Sequence, residues 1–257
     1  MPDRPETAAP PARRRDAQRS RDRLTAAARE VFTELGLEAP LDVIARRAGV
    51  GNATLYRHYP SRAALVEAVF HDTLADTMAV GDRARHHDDA WAGLTDYLDE
   101  VFAVLAADRG TNDLMTTALD GVESLRAVHA HNRRTIDDLL RRGREQGTVR
   151  ADATTEDLLF ALAALGRAVP ALASAAGPRS WRRPLALLLA GLRPPSPASP
   201  LPRPALTPTQ LADTLKGLGP HRAPPGEVQA VPSGPSPGAS GRPGRAGTRR
   251  TDHGGGA

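Results

Sequence analysis

Residues 49–62 read "GVGNATLYRHYPSR". Two glycines bracket Val50, and Pro60 stops the run. Between them lie Asn52, Thr54, Tyr56, Arg57 and His58, with Leu55 as the only large aliphatic side chain. Two of the chain's three tyrosines fall here. A helix this short and polar buries too little apolar surface to exist for packing alone. Leu55 anchors it inward, so the other side chains project outward.

The flanks make sense of that surface. Leu24, Ala27, Ala28, Val31, Phe32 and Leu35 recur at helical spacing and predict a first helix, with Asp16 or Ser20 at its start and Gly36 at its end. Leu41, Ile44, Ala45 and Ala48 predict a second, from Pro40 to Ala48. Asp42 lies in its first turn, where the helix dipole favours an anion. A third long helix begins at Ser61 and runs to about Val80, with Leu65, Ala68, Val69, Leu74 and Met78 inward. The turn at 49–51 sets two short helices at a steep angle, a helix-turn-helix. Phe32, Leu35, Ile44, Leu55 and Leu65 clamp the pair.

The exposed residues suit a DNA duplex. Asn52, Ala53, Thr54, Tyr56, Arg57 and His58 are expected to face bases. Arg57 can donate to guanine, Asn52 can pair with adenine, and Thr54, Tyr56 and His58 can touch phosphate, sugar or the thymine methyl. Arg21, Arg62 and Tyr56 are expected at phosphates. Gly51 has no side chain to cap the helix, so Asn52 has two alternatives, reading a base or capping. Charge agrees with an anionic polymer at one end. Residues 12–62 carry a balance of +5, residues 63–192 one of −5, and the tail from 193 again +5.

The remainder also reads as helical. Helices are expected at about 90–107, 112–119, 122–146, 154–175 and 180–192, with "GDRARHHDD" (81–89) as a solvated loop. Sustained alternation is absent, so no sheet is expected. The expected fold class is all-α. Its parts are a disordered basic arm (1–18), a helix-turn-helix domain (19–65), a helical regulatory and dimerisation domain (66–193) and a mostly disordered tail (194–257). Fourteen of the 23 prolines fall in 194–257, but "LTPTQLADTLKGLG" carries Leu211, Leu215 and Leu218 at helical spacing and predicts a short helix at 207–218.

Other classes find little support. The chain has no cysteine, which excludes disulfides and thiolate metal sites. No nucleophile–base set or phosphate-cradling loop is present, so no enzyme and no cofactor are expected. His86 with His87, and His129 with His131, lack metal-site spacing, so no metal is expected. "LALLLAGL" (185–192), read as the longest strongly apolar stretch, is far too short to span a membrane. The N-terminus lacks a secretory apolar segment. The expected compartment is the cytoplasm, with no membrane contact.

The stretch "AAREVFTELGLEAPLDVIARRAGVGNATLYRHYPSRAALVEAVF" resembles the TetR family of transcriptional repressors, with its "IA..AGV....LY.HF..K..L" pattern. Tyr59 stands for the usual Phe and Arg62 for the usual Lys. Two departures stand out, Gly51 for a capping residue and Pro40 for a Thr that caps helix two. "RGREQGTVRADATTEDLLFALAALGR" and "RRPLALLLAGLRP" are similar to the end of the family's regulatory domain. The resemblance implies a homodimer on a palindromic double-stranded operator, released by a small-molecule effector. It implies a dimer interface at Leu158, Leu162, Leu165, Val169, Leu185, Leu188, Leu189 and Leu192, residues that monomer core would also explain. It further implies a ligand pocket among Trp91, Leu94, Leu98, Phe102, Leu114, Met115, Leu119, His129 and Leu162, or plain core at the same positions. The alternative function is nonspecific or architectural DNA or partner binding through the basic tail.

Overall fold

The computed structural model describes residues 11–116, 119–196 and 199–218, all in helices or their connections; no strand occurs among them. α1 (Pro11–Leu35) starts earlier than its apolar face predicts. Residues 11–18, expected as a disordered arm, are helical; residues 1–10 lie outside the described residues. Proline suits a first helical position and Ala, Arg and Gln are good helix formers. Side-chain pairs support the segment: Arg19 with Asp16 at 2.6 Å and Gln18 with Asp22 at 2.7 Å.

α2 (Leu41–Arg47), α3 (Asn52–His58) and α4 (Arg62–Arg85) complete the N-terminal head. Leu24, Phe32, Ile44, Leu55 and Leu65 are fully buried together, and Leu35 packs at their edge. Gly36 and Gly49 take φ of 84° and 66°, which ends α1 and turns α2 into the connection to α3. Phe70, a core residue the periodicity did not single out, stacks on Phe32 with centroids 6.1 Å apart. Ser61 caps α4 by accepting from the Ala64 N–H at 3.1 Å.

α4 does not stop near Val80. The segment expected as a loop from 81 continues as helix to Arg85. Gly81 allows this. A Cβ there would stand 2.5 Å from His131 Nε2 and 2.8 Å from Thr135 Oγ1, so only glycine lets α4 lie this close to α7. The true connection, 86–89, is held from α7 by Gln146 Nε2, which donates to the Asp88 carbonyl at 2.8 Å.

The body contains α5 (Ala90–Leu105), α6 (Arg109–Thr116), α7 (Glu123–Glu145), α8 (Thr155–Ala176) and α9 (Arg182–Leu192). Asp89 caps α5, and Thr154 with Asp157 forms a capping box on α8. One buried cluster joins Leu94, Leu98 and Phe102 to Ile136, Leu139, Leu158 and Trp181. The other joins the head to Leu114, Val122, Leu125 and Val128. Interior side chains thus cross the boundary expected at 65/66.

The expected interface residues are mostly interior. Leu158, Leu162, Val169, Leu185 and Leu192 are buried within the chain, and Leu165, Leu188 and Leu189 are half-buried. The outward apolar face is a different one: Phe160, Ala164, Ala168 and Ala171 on α8, with Ala186, Leu187 and Ala190 on α9. Leu187 is 67% exposed. Both helices are apolar nearly all round, so spacing alone could not say which side the monomer takes. The stretch at 185–192 is also not the longest apolar one: α8 is long and apolar enough to cross a membrane by length and composition.

Part of the tail is ordered. The Leu201 N–H donates to Asp152 Oδ2 at 2.8 Å, and Arg150 Nη2 donates to the Ser199 carbonyl at 2.9 Å. The Arg150 guanidinium first, then the Leu201 amide, pull the Asp152 carboxyl down to about 2. α10 (Pro208–Leu218) follows, capped reciprocally by Thr207 and Gln210. Leu211 is 2% exposed, docked against the body. Residues 199–206, expected as disordered, are thus tied to the body, and α10 coincides with the short helix expected at 207–218; residues 197–198 and 219–257 lie outside the described residues.

Candidate nucleic-acid interface and ligand cavity

α3 has only seven residues, and its register decides which of them face outward. Leu55 (1% exposed) and Tyr59 (2%) turn inward. Tyr59 shares a hydrogen bond with Thr25 Oγ1 at 2.7 Å, which ties the end of α3 to α1. Asn52, Ala53, Tyr56 and Arg57 are exposed, and Thr54 and His58 are half-buried. Tyr56 is 53% exposed, a large aromatic with no packing reason to be there.

Gly51 occupies the N-cap position in an extended conformation, and no side chain caps α3 among the described residues. Asn52 is the first helical residue and does not take the capping role, so its amide stays on the open surface. His58 is different. Its Nε2 is buried with no hydrogen-bond partner among the described residues. Burial first, then the charges of Arg57 and Arg21, hold its imidazole below the ordinary range, so it is neutral at neutral pH. Arg21 lies over the Tyr59 ring, 5.3 Å from the centroid, exposed and beside α3.

Arg62 is half-buried and bonds the head's own backbone. Its Nη1 donates to the Leu37 carbonyl at 2.5 Å and the Ala39 carbonyl at 2.7 Å. These acceptors belong to the α1–α2 connection, a tertiary contact that local sequence cannot reveal. Arg62→Ala should therefore lower stability by roughly 1–3 kcal/mol by stranding two carbonyls. It should leave the salt dependence of DNA binding unchanged. Thermal melts and a salt titration check this; unchanged melting with a salt slope flattened by about one unit would restore the phosphate role.

A cavity of about 260 Å³ lies among α5, α6, α7, α8 and α10. Of the residues expected to line it, Met115, His129 and Leu162 do so. The others do not. Leu94, Leu98 and Phe102 are body core, Leu114 and Leu119 pack into the head-side cluster, and Trp91 lies beneath the Arg193 guanidinium at 3.7 Å. Sequence reasoning missed Val101, Leu105 and Leu159 on one side and Leu211 and Leu215 on the other. The leucine spacing in 206–219 was the available signal for the last two. His129 has its imidazole held low by desolvation, opposed by its hydrogen bond to the Met115 backbone. No group of three potential metal ligands converges among the described residues.

α6 lies between cavity and head. Met115 and Thr116 line the cavity. Asn112 Nδ2 donates to the Leu105 carbonyl at 3.0 Å and the Gly166 carbonyl at 2.7 Å, tying α6 to α5 and α8. On its other side Asp113 Oδ2 accepts from the Leu37 N–H at 3.1 Å. Gly110 abuts α1 so closely that a Cβ would be 2.8 Å from the Phe32 carbonyl oxygen.

Two family models match this chain. Residues 24–69 match bacterial regulatory proteins of the tetR family, and residues 89–194 match the C-terminal domain of SbtR-like transcriptional regulators. Together they span more than half of the sequence. Among solved structures, a tetR-family bacterial regulatory protein from Rhodococcus RHA1 is 19% identical, with a TM-score of 0.54 over 68% of this chain and 97% of its own. A TetR-family transcriptional regulator from Agrobacterium tumefaciens is 18% identical, with a TM-score of 0.51 over 69% and 99%. The fatty acid degradation regulator FadR from Bacillus halodurans is 21% identical, with a TM-score of 0.50 over 67% and 99%. At these identities the likeness is one of fold. No curated protein matches.

Proposed function

Since the chain belongs to the TetR family of DNA-binding transcriptional regulators, we propose that it is a homodimeric, cytoplasmic repressor that reads a palindromic operator through α3 and leaves it when a small molecule enters the body. One observation carries the DNA half: Tyr56 and Arg57 stand exposed on a helix whose sole aliphatic anchor, Leu55, is buried. The major groove, ~12 Å wide, admits such a helix. Arg57 is the reader of a guanine edge, Asn52 of an adenine, with Ala53 and Thr54 beside them. Tyr56 and Arg21 reach the flanking phosphates. A dimer places its two heads ~34–36 Å apart, or at a multiple of that distance.

The cavity supports the effector half. A ligand there touches Met115 and Thr116 and so bears on α6, whose opposite side holds Leu37 and abuts Phe32. α6 and α4 then shift the heads away from groove spacing. Moving occupancy from almost full to almost empty requires a differential affinity of about 5.5 kcal/mol between the two states.

Selecting bound sites from random DNA tests the reading. A palindrome with half-sites one or two helical turns apart is expected. Enrichment of no sequence would instead favour nonspecific binding through the basic tail. The outward face of α8 and α9 supports the dimer. Leu187→Glu should convert it to monomers at micromolar concentration by light scattering, since an unpaired charge would be buried at the interface. A wild-type protein that is already monomeric there would refute the dimer.

A further inference from the structure

One wall of the cavity is made by a helix, α10, that neither family match reaches. The matched regions end at residue 194, and α10 begins at Pro208. Arg150 and Asp152 pin residues 199 and 201 to the α7–α8 connection, and the Thr207–Gln210 cap starts α10 directly over the cavity. Leu211 and Leu215 then face Leu105, Leu159 and Leu162 across it.

The wall's charge is one-sided. Among the described residues, the only charged side chains lining the cavity are Arg133 on α7 and Lys216 on α10. Arg133 gives one nitrogen to Glu156 at 2.6 Å; Lys216 has no ion-pair partner among the described residues. Asn132, 8% exposed, also lies on the wall, with an amide oxygen that finds no partner among the described residues. That oxygen is an acceptor, so it awaits a donor such as water and offers nothing to an anion; Lys216, the wall's one cation without an ion-pair partner among the described residues, is the group that does.

We propose that α10 is a working wall of the effector site, and that the site takes an elongated apolar ligand ending in a single carboxylate. The apolar body lies between Leu105, Leu159 and Leu162 and the underside of α10. The carboxylate meets Lys216, with Arg133 at the same rim. The ligand is thus gripped partly by a segment that belongs to this chain's own tail. This rests on the reading of the cavity as the effector site.

The test uses the full chain without DNA, with decanoate and the uncharged decanol of equal length as probes, by calorimetry at neutral pH. Decanoate should bind more tightly than decanol by at least about threefold, the size expected for one ammonium–carboxylate pair near solvent. Lys216→Glu should weaken decanoate by more than that and leave decanol within about twofold. Leu211→Asp should weaken both by about tenfold or more, because a charge at that position undocks α10. Where Leu211→Asp lowers the melting temperature of the whole chain, Leu215→Ser, at a half-buried position, makes the same comparison. Equal affinity for the two probes, or unchanged decanoate binding in both variants, overturns the proposal. So does the absence of any binding by a protein that still selects its operator. Failure to select any DNA sequence, with decanoate binding intact, would sink the regulator reading instead and leave this site standing.

Discussion

Tyr56→Ala together with Arg57→Ala is expected to lower operator selectivity while leaving the fold intact. Both side chains are exposed, so truncating them costs little stability, within about 0.5 kcal/mol. The Arg57 contact to a base edge contributes about 1–3 kcal/mol of discrimination, roughly fivefold to a hundred-and-fiftyfold, and the Tyr56 contact to a phosphate adds affinity that is not sequence-selective. Binding to scrambled DNA should fall far less, because the salt-dependent phosphate term comes from many cations. The measurement is the ratio of selected-site to scrambled-site affinity at fixed salt, with a thermal melt beside it. A ratio unchanged in the double variant would remove α3 from the interface. Arg57→Lys should lower the ratio nearly as much as alanine, since lysine keeps the charge and loses the two-pronged geometry.

Leu55→Ala is expected to destroy the same activity by a different route. Leu55 is 1% exposed and lies in one cluster with Phe32, Ile44 and Leu65. Its truncation should cost roughly 2–5 kcal/mol, the range for deleting a buried leucine side chain. For a chain of this size that lowers the melting temperature by about 5–20 °C. The effect on α3 is greater than that on the whole. A seven-residue helix without a side-chain cap does not hold itself together in water. α3 should therefore fray in Leu55→Ala, seen as faster amide exchange at Tyr56 and Arg57. Unchanged melting and unchanged exchange would show that Leu55 is no anchor. The two variants are told apart by stability: the double alanine melts like the wild type, and Leu55→Ala does not.

The sequence made α3 and its anchor legible because the information there is local. One aliphatic residue amid polar ones, bounded by Gly51 and Pro60, has a single sensible orientation. The same logic located the bodies of α5, α7 and α8. It failed where a residue's role depends on a distant partner. Arg62 read only as a phosphate-facing cation because nothing near it in sequence shows that it also holds the carbonyls of Leu37 and Ala39. Gly81 read as a loop residue because a glycine beside charges looks like a break. Its real reason is the approach of His131 and Thr135, fifty residues away or more. α8 carries two apolar faces, and the choice between Leu158 and Phe160 as the inward residue is made by α5, α6 and α7. α10 was legible despite the proline-rich composition around it, because Leu211, Leu215 and Leu218 keep helical spacing; what the spacing could not show is that Leu211 docks on the body.

The cluster that contains Phe32 and Ile44 also contains Leu114, Val122, Leu125 and Val128. The reading head has no private interior; part of its floor is supplied by α6 and α7. A hybrid that carried only residues 11–85 onto a foreign scaffold would leave that floor open. Transplantation is thus a poor route to a new DNA preference for this chain. Substitution at the exposed positions of α3 is an open one, because those side chains touch nothing the interior needs. The architecture separates what can be rewritten from what can be exchanged, and Gly110 against Phe32 marks the seam that does not come apart.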